Sequence, residues 1–377
     1  MLKSPEKALM ISVILLMATG LVFIYSVSGP YSQAKGLSVW HYFLRQLTWA
    51  GLALVVLYIC STLNYRKFLK LSPVLLAISL FFLLVVLFTP SKQHVHRWLE
   101  FGYLRFQPSE VFKISLLMYL AYSLANKKAR LKNGKKLWSQ LVIVGIGLIL
   151  IAKQPDLGTM MLVFLTTAMV LFLAEIKIKY LLMSAAIVMV IGGFMVFGLG
   201  YEKDRVDDYI SSLKAPLKTD EPAFQSGGYY QIRQSLISIG SGGLIGRGLG
   251  GGGQKNLFLP APHTDFIFSA SAEEGGFLLC FYLLGLMFIF SMAAFKIAAM
   301  TKDSEGFLLA AGLGGMVTLQ ATINIGVALG LLPVTGITLP YFSYGGSSLV
   351  ISCAAAGLIF SVARYGKTPK VRFLRGL

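Results

Sequence analysis

His263, Thr264 and Asp265 sit where a polar stretch, 201–264, meets a long apolar run beginning Phe266-Ile267-Phe268. A carboxylate at the mouth of a membrane helix is costly to hold there, so such a residue faces a cavity, a partner or a substrate. Two roles suit it. Partly desolvated, Asp265 is a base able to take a proton from a hydroxyl. As a helix N-cap paired with a loop cation, it does structural work only.

Other polar clusters stand near the same level of the chain. Arg97-Trp98 precede Arg105-Phe106-Gln107-Pro108-Ser109-Glu110, with Lys113 three residues after Glu110. Pro108 suits a helix start, and Glu110 and Lys113 share a face of that helix, as a structural clasp or as part of a site. Lys153-Gln154-Pro155-Asp156 reads as a tight turn in which Asp156 caps the next helix. Glu273 and Glu274 follow Asp265 by eight and nine residues. At about 100° per residue they lie roughly 80° and 180° around the helix from it, so they are expected to support the bundle, paired with basic or polar groups, rather than bind metal. His94-Val95-His96 lacks the cysteines or carboxylates of a metal site.

These groups must be held by a membrane bundle. The 377 residues are 56% hydrophobic and 13% charged, with mean hydropathy +0.71, against about 25% charged in soluble domains. Ten apolar stretches are long enough to span a bilayer: 8–28, 46–63, 71–89, 108–126, 137–152, 156–174, 180–200, 265–295, 307–331 and 346–364. With the N-terminus inside, the inner loops and tail hold 20 of the 34 Lys+Arg and only four of the 16 Asp+Glu, as the positive-inside rule requires. The net charge of +18 is mostly this orientation signal, so no nucleic-acid partner is implied. The expected fold is therefore an all-α polytopic bundle, a single membrane domain over 1–377 with both termini cytoplasmic. The basic tail 365–377 would rest on anionic lipid headgroups. Cys60, Cys280 and Cys353 fall inside spans and read as packing residues.

The outer face carries one long loop, 201–264. Within it Tyr229, Ile232, Leu236 and Ile239 recur at helical spacing, giving a short helix that lies in the interface or packs on the bundle. Gly240 to Gly253 contains a formal GxGxxG, but no strand precedes it, so it reads as a close-packing loop. The stretch 332–348 is too apolar for an open loop and too rich in Pro and Gly for a helix. Irregular backbone at that depth must lie against protein or line a cavity.

Together these blocks resemble the SEDS family of bacterial shape, elongation, division and sporulation proteins. The matching stretches are Arg97-Trp98 with Phe106 to Glu110 and Lys113; Gln154 to Thr159; Gly240 to Gly250; Leu259-Pro260 with His263 to Phe268; Glu273-Glu274-Gly275; Asn324-Ile325-Gly326; and Pro340 with Ser343 to Ser347. Gln254-Lys255 and the run Gly330 to Pro340 look more like the division branch (FtsW), or its sporulation relative, than the elongation branch (RodA). The family usually has Leu-Pro-Glu before the His-Thr-Asp; here Ala261-Pro262 stand there instead, without the carboxylate.

The resemblance implies a glycosyltransferase of the bacterial cytoplasmic membrane that polymerises lipid II, with undecaprenyl pyrophosphate as leaving group. It makes Asp265 the general base. His263 would orient it or bind sugar, and Arg97, Lys113, Lys153, Arg233 and Lys255 are candidates to neutralise pyrophosphate, with Ser343 a further substrate contact. Glu110, Glu273 and Glu274 would be supports. No cofactor is required by the sequence, although a divalent cation (Mg or Mn) could bridge Asp265 and pyrophosphate. The implied partners are a class B penicillin-binding protein transpeptidase, other divisome proteins and membrane lipids. A lipid II flippase and a non-catalytic scaffold are the competing readings.

Overall fold

A computed structural model of the chain describes residues 4–89, 97–101, 104–125, 134–180, 182, 186, 207–210, 227–253, 258–260 and 262–366. Its long helices are α1 (Pro5–Ala34), α2 (His41–Thr62), α3 (Tyr65–Val85), α4 (Pro108–Leu124), α5 (Gly134–Ala152), α6 (Leu157–Leu173), α7 (Gly227–Ser241), α8 (Ile267–Ala299), α9 (Ser304–Ala328) and α10 (Gly346–Tyr365). All but α7 coincide with expected spans. The seventh expected span, 180–200, falls almost wholly outside the described residues, as do 201–206, 211–226, 254–257 and 261 of the long outer loop and the basic tail after Gly366. One element was not expected: a hairpin of β1 (Leu99–Phe101) and β2 (Leu104–Phe106), paired antiparallel with Glu100 opposite Arg105.

The bundle is layered by burial. In α9 and α10, 78% of the most apolar window is buried, against 28% in α2 and α3. The outer helices present Leu44, Leu52, Val55, Tyr58 and Phe81 outwards, which is unremarkable where lipid tails are the solvent. Polar side chains turn inward and tie helices together: Ser79 to Ser115 between α3 and α4 at 3.0 Å, and Ser291 to Thr318 between α8 and α9 at 2.8 Å. At the end of the bundle carrying the α8–α9 turn, the Tyr65 hydroxyl donates to Asp303 at 2.7 Å and Arg66 reaches the same carboxylate at 3.6 Å. Asp303 also caps α9.

Two local features set the position of Asp265. The first is a break in α8 at Gly276, where the backbone takes φ +66°. The glycine-rich segment 242–250 enters this break. Phe277 and Leu278 donate backbone N–H groups to the Gly243 and Leu244 carbonyls, while Arg247 and Gly248 donate to the Glu273 and Glu274 carbonyls. The loop therefore supplies the partners that a continuous helix would have provided. A Cβ on Gly276 would collide with the Gly246 nitrogen and stand 2.7 Å from the Leu244 oxygen, so only glycine allows this approach. Ahead of the break, Phe266 through Glu274 are buried in protein; beyond it, Phe277, Leu278 and Phe281 face outwards.

The second feature is α7. Tyr229, Ile232, Ser235 and Ser238 form its buried face, narrower and more polar than the stripe expected from its apolar residues. The serines explain the difference: Ser235 donates to the Ala328 carbonyl at 2.6 Å and Ser238 to the Ser269 carbonyl at 2.9 Å. Thus α7 packs on α8 and α9. Asp208 accepts from the Gly228 N–H at 2.7 Å, fastening the turn at 207–210 to the start of this helix.

Candidate active site

The segment 332–345 runs as an irregular strap across the ends of α4, α6 and α9, and Gly336, Ile337, Thr338, Tyr344 and Gly345 face a cavity of about 630 Å³. The α1–α2 connection, the hairpin and the start of α4 complete its walls. Five cations (Lys35, Arg45, Arg97, Arg105 and Lys113) and two carboxylates (Glu110 and Asp265) line it among the described residues. Tyr31, Tyr42, Trp49 and Trp98 give it an aromatic side.

Asp265 lies two residues before α8 begins at Ile267; the N-cap position is held by Phe266, which contributes no side-chain cap. A side chain on Gly336 (φ +73°) would start 3.6 Å from Arg97 Nη1 and 3.8 Å from Asp265 Oδ2. Carboxylate and guanidinium thus flank the same glycine.

Arg97 is held in place by donating to the Gln154 carbonyl at 3.0 Å and by Asp156 at 4.0 Å. Asp156 caps α6 as expected, accepting from the Thr159 N–H at 3.1 Å, and also takes the Gln107 amide at 3.2 Å. Lys113 is 3% exposed and pairs with Glu110 at 2.8 Å, with Gln320 Oε1 at 3.1 Å as its second partner. The structure shows the clasp. A buried lysine needs a carboxylate beside it, and the pair still borders the cavity.

His263 is 5% exposed, ringed by Tyr31, Tyr42 and Tyr344 at centroid distances of 4.9, 4.6 and 5.4 Å. Burial pushes its pKa down to about 4, and nearby Lys35 adds to the effect. It is a neutral imidazole at pH 7.

The remaining expected site residues stand elsewhere. Lys153 is exposed, and neither it nor Arg233, on α7, borders the cavity. Ser343 is buried behind the wall, donating to the Thr264 carbonyl at 2.8 Å and accepting from the Leu339 N–H. Lys255 lies outside the described residues, as do Gln254 and the His94–His96 pair. Glu273 and Glu274 are buried under the glycine-rich loop. Glu273 meets Arg247 at 3.4 Å and the Gly253 N–H at 2.8 Å, and Glu274 accepts from Ser26 at 2.6 Å. Conversely, Lys35, Arg45 and Arg105 line the cavity although the sequence reading did not single them out as ligands. Arg105 stands immediately before a matched block, whereas Lys35 and Arg45 lie in none.

Residues 6–368 match the model of the FtsW/RodA/SpoVE family, described as cell cycle proteins. Stage V sporulation protein E of Bacillus subtilis is 34% identical over 371 residues, covering 97% of this chain and 98% of that one. The chain belongs to this family. Another FtsW/RodA/SpoVE relative, the probable peptidoglycan glycosyltransferase FtsW of Geobacter metallireducens, is 33% identical over 93% of this chain and 94% of its own. Among solved structures, a chain from a peptidoglycan synthase complex superposes with a TM-score of 0.75 at 28% identity, over 94% of this chain and 96% of that one. The rod shape determining protein RodA of Thermus thermophilus, as the wild type, gives 0.68 at 28% identity over 96% and 97%. The family membership makes the chain a multi-pass membrane protein.

Proposed function

We propose that this chain is a peptidoglycan glycosyltransferase of the bacterial cytoplasmic membrane that polymerises lipid II at the outer face, in division or sporulation. The observation that carries the reading is Asp265 at the wall of a cavity of about 630 Å³ lined by five cations. The acceptor sugar hydroxyl attacks the anomeric carbon of the donor. The bond from that carbon to the pyrophosphate oxygen breaks, and Asp265 takes the hydroxyl proton. Charge grows on the departing lipid pyrophosphate, and fixed cations stabilise it most where water is excluded. Arg97 and Lys113, held by Asp156 and Glu110, share this neutralisation with Lys35, Arg45 and Arg105, which line the same cavity.

A divalent cation would find Asp265 as a ligand and take others from pyrophosphate; among the described residues no three His, Cys, Asp or Glu converge. When bound, such an ion would supply further charge neutralisation. A class B penicillin-binding protein is the proposed partner, supported by the likeness to a synthase complex that couples polymerization to crosslinking.

Purified protein with its partner tests the assignment. Asp265→Asn should reduce glycan polymerisation from lipid II by roughly 10²-fold or more, the usual size of a general-base loss, while folding and partner binding persist. Undiminished polymerisation would remove Asp265 as the base. Lipid translocation without polymerisation by the wild type would make the chain a flippase, and neither activity would leave a scaffold.

A further inference from the structure

Gln320 and Asn324 lie one turn apart on α9, at 2% and 1% exposure. Their immediate neighbours in sequence are Leu319, Ala321, Ile323 and Ile325, and a buried amide among such residues must find partners. Gln320 Oε1 accepts from Lys113 at 3.1 Å and its Nε2 donates to the Thr338 carbonyl at 3.1 Å. Asn324 Nδ2 donates to the Ile337 carbonyl at 2.7 Å and to the Asp265 carbonyl at 2.8 Å. One face of α9 therefore touches the strap, the buried lysine and the backbone of Asp265.

Two more donors act on the same turn. The Ser343 hydroxyl donates to the Thr264 carbonyl at 2.8 Å, and the Tyr344 N–H donates to the His263 carbonyl at 2.9 Å. The carbonyls of His263, Thr264 and Asp265 are each held by one donor from α9 or the strap. Asp265 itself lies before the first residue of α8, so these ties replace the helical ladder that would otherwise orient it.

We propose that Asn324 is a positioning residue for Asp265, acting with Ser343. With Gln320 four residues earlier, it makes α9 a ruler between the base and Lys113. A four-residue step sets the two amides about 6 Å apart along the helix axis. This rests on the reading of Asp265 as the base. Its cost when lost follows from geometry, since misplacing a reacting group by about 1 Å can slow a reaction by about 10²-fold.

The test is steady-state lipid II polymerisation by the purified protein with its transpeptidase partner, alongside thermal unfolding. Asn324→Ala should lower kcat by roughly 10- to 100-fold, with KM within about twofold of wild type and a cooperative melt retained. Ser343→Ala should lower kcat in the same sense, and Ser343→Thr, which keeps the hydroxyl donor, should restore it. Should Asn324→Ala fail to fold, the two Ser343 variants decide the matter. A normal kcat in folded Asn324→Ala, an effect on KM alone, or no rescue by Ser343→Thr overturns the proposal. Asp265→Asn run in parallel separates the two ideas. If it is inactive while Asn324→Ala is fully active, positioning fails and the base stands; if it polymerises normally, the base fails first.

Discussion

At the scale of single residues, neutral His263 is the clearest case of burial deciding chemistry. An ordinary histidine titrates at 6.5, whereas this one is held down to about 4. Between those values the unfolded chain takes up a proton that the folded chain refuses. Stability is therefore fully present above pH 6.5 and is lost as pH falls towards 4, by up to roughly 3 kcal/mol. His263→Gln should flatten that dependence: its melting temperature should fall less than that of the wild type between pH 7 and pH 5. Equal falls would show that His263 is not neutral in the folded protein. Within His263–Thr264–Asp265, the carboxylate could be read from the chain alone because charge at an apolar boundary is expensive. Its carbonyl partners could not, because Asn324 and Ser343 are 59 and 78 residues away from it in sequence.

At the scale of elements, the glycine-rich loop and the α8 break form one unit. The loop read as a close-packing segment despite its formal GxGxxG, and its close approach is a splice that completes a helix. Gly246 (φ +80°) stands where a Cβ would overlap the Glu274 carbonyl, whereas one on Gly240 would meet nothing within 4 Å. Gly246→Ala should therefore cost about 3 kcal/mol or more, through strain at positive φ and the displaced loop. Gly240→Ala, inside α7, should be neutral or gain up to about 1 kcal/mol. Thermal unfolding of the two variants in detergent measures the contrast, and equal melting temperatures would refute the splice. The β1–β2 hairpin escaped the sequence reading because its strands have three residues each, too short for an alternating pattern to register. It carries Arg105 to the cavity mouth, where the Glu100 pair at 3.1 Å is half exposed and contributes little stability.

At the scale of the whole molecule, the arrangement is an inside-out bundle with its polar reserves gathered near one end. The positive-inside pattern predicts that this end faces outside the cell. Cysteines introduced at the exposed positions 153 and 302 test this directly. Lys153→Cys should react with a membrane-impermeant maleimide in intact cells, and Lys302→Cys only after permeabilisation. The reverse pattern would invert the bundle and move the cavity to the wrong leaflet for wall synthesis. Native Cys60 and Cys353 are buried and Cys280 is partly so, which keeps the background low.

Hydropathy, loop charge and helix punctuation are local quantities, so the sequence alone determined the membrane class, most span positions, the orientation to be tested and the prominence of Asp265. The matched blocks also identified Arg97 and Lys113 before any contact was known. What tertiary structure decided is which charges share a space. Lys35, Arg45 and Arg105 come from separate elements and meet at one cavity, while Lys153, Arg233 and Ser343 do not line it. No local pattern encodes such convergence, because it depends on helix packing and on hydrogen bonds between residues distant in the chain.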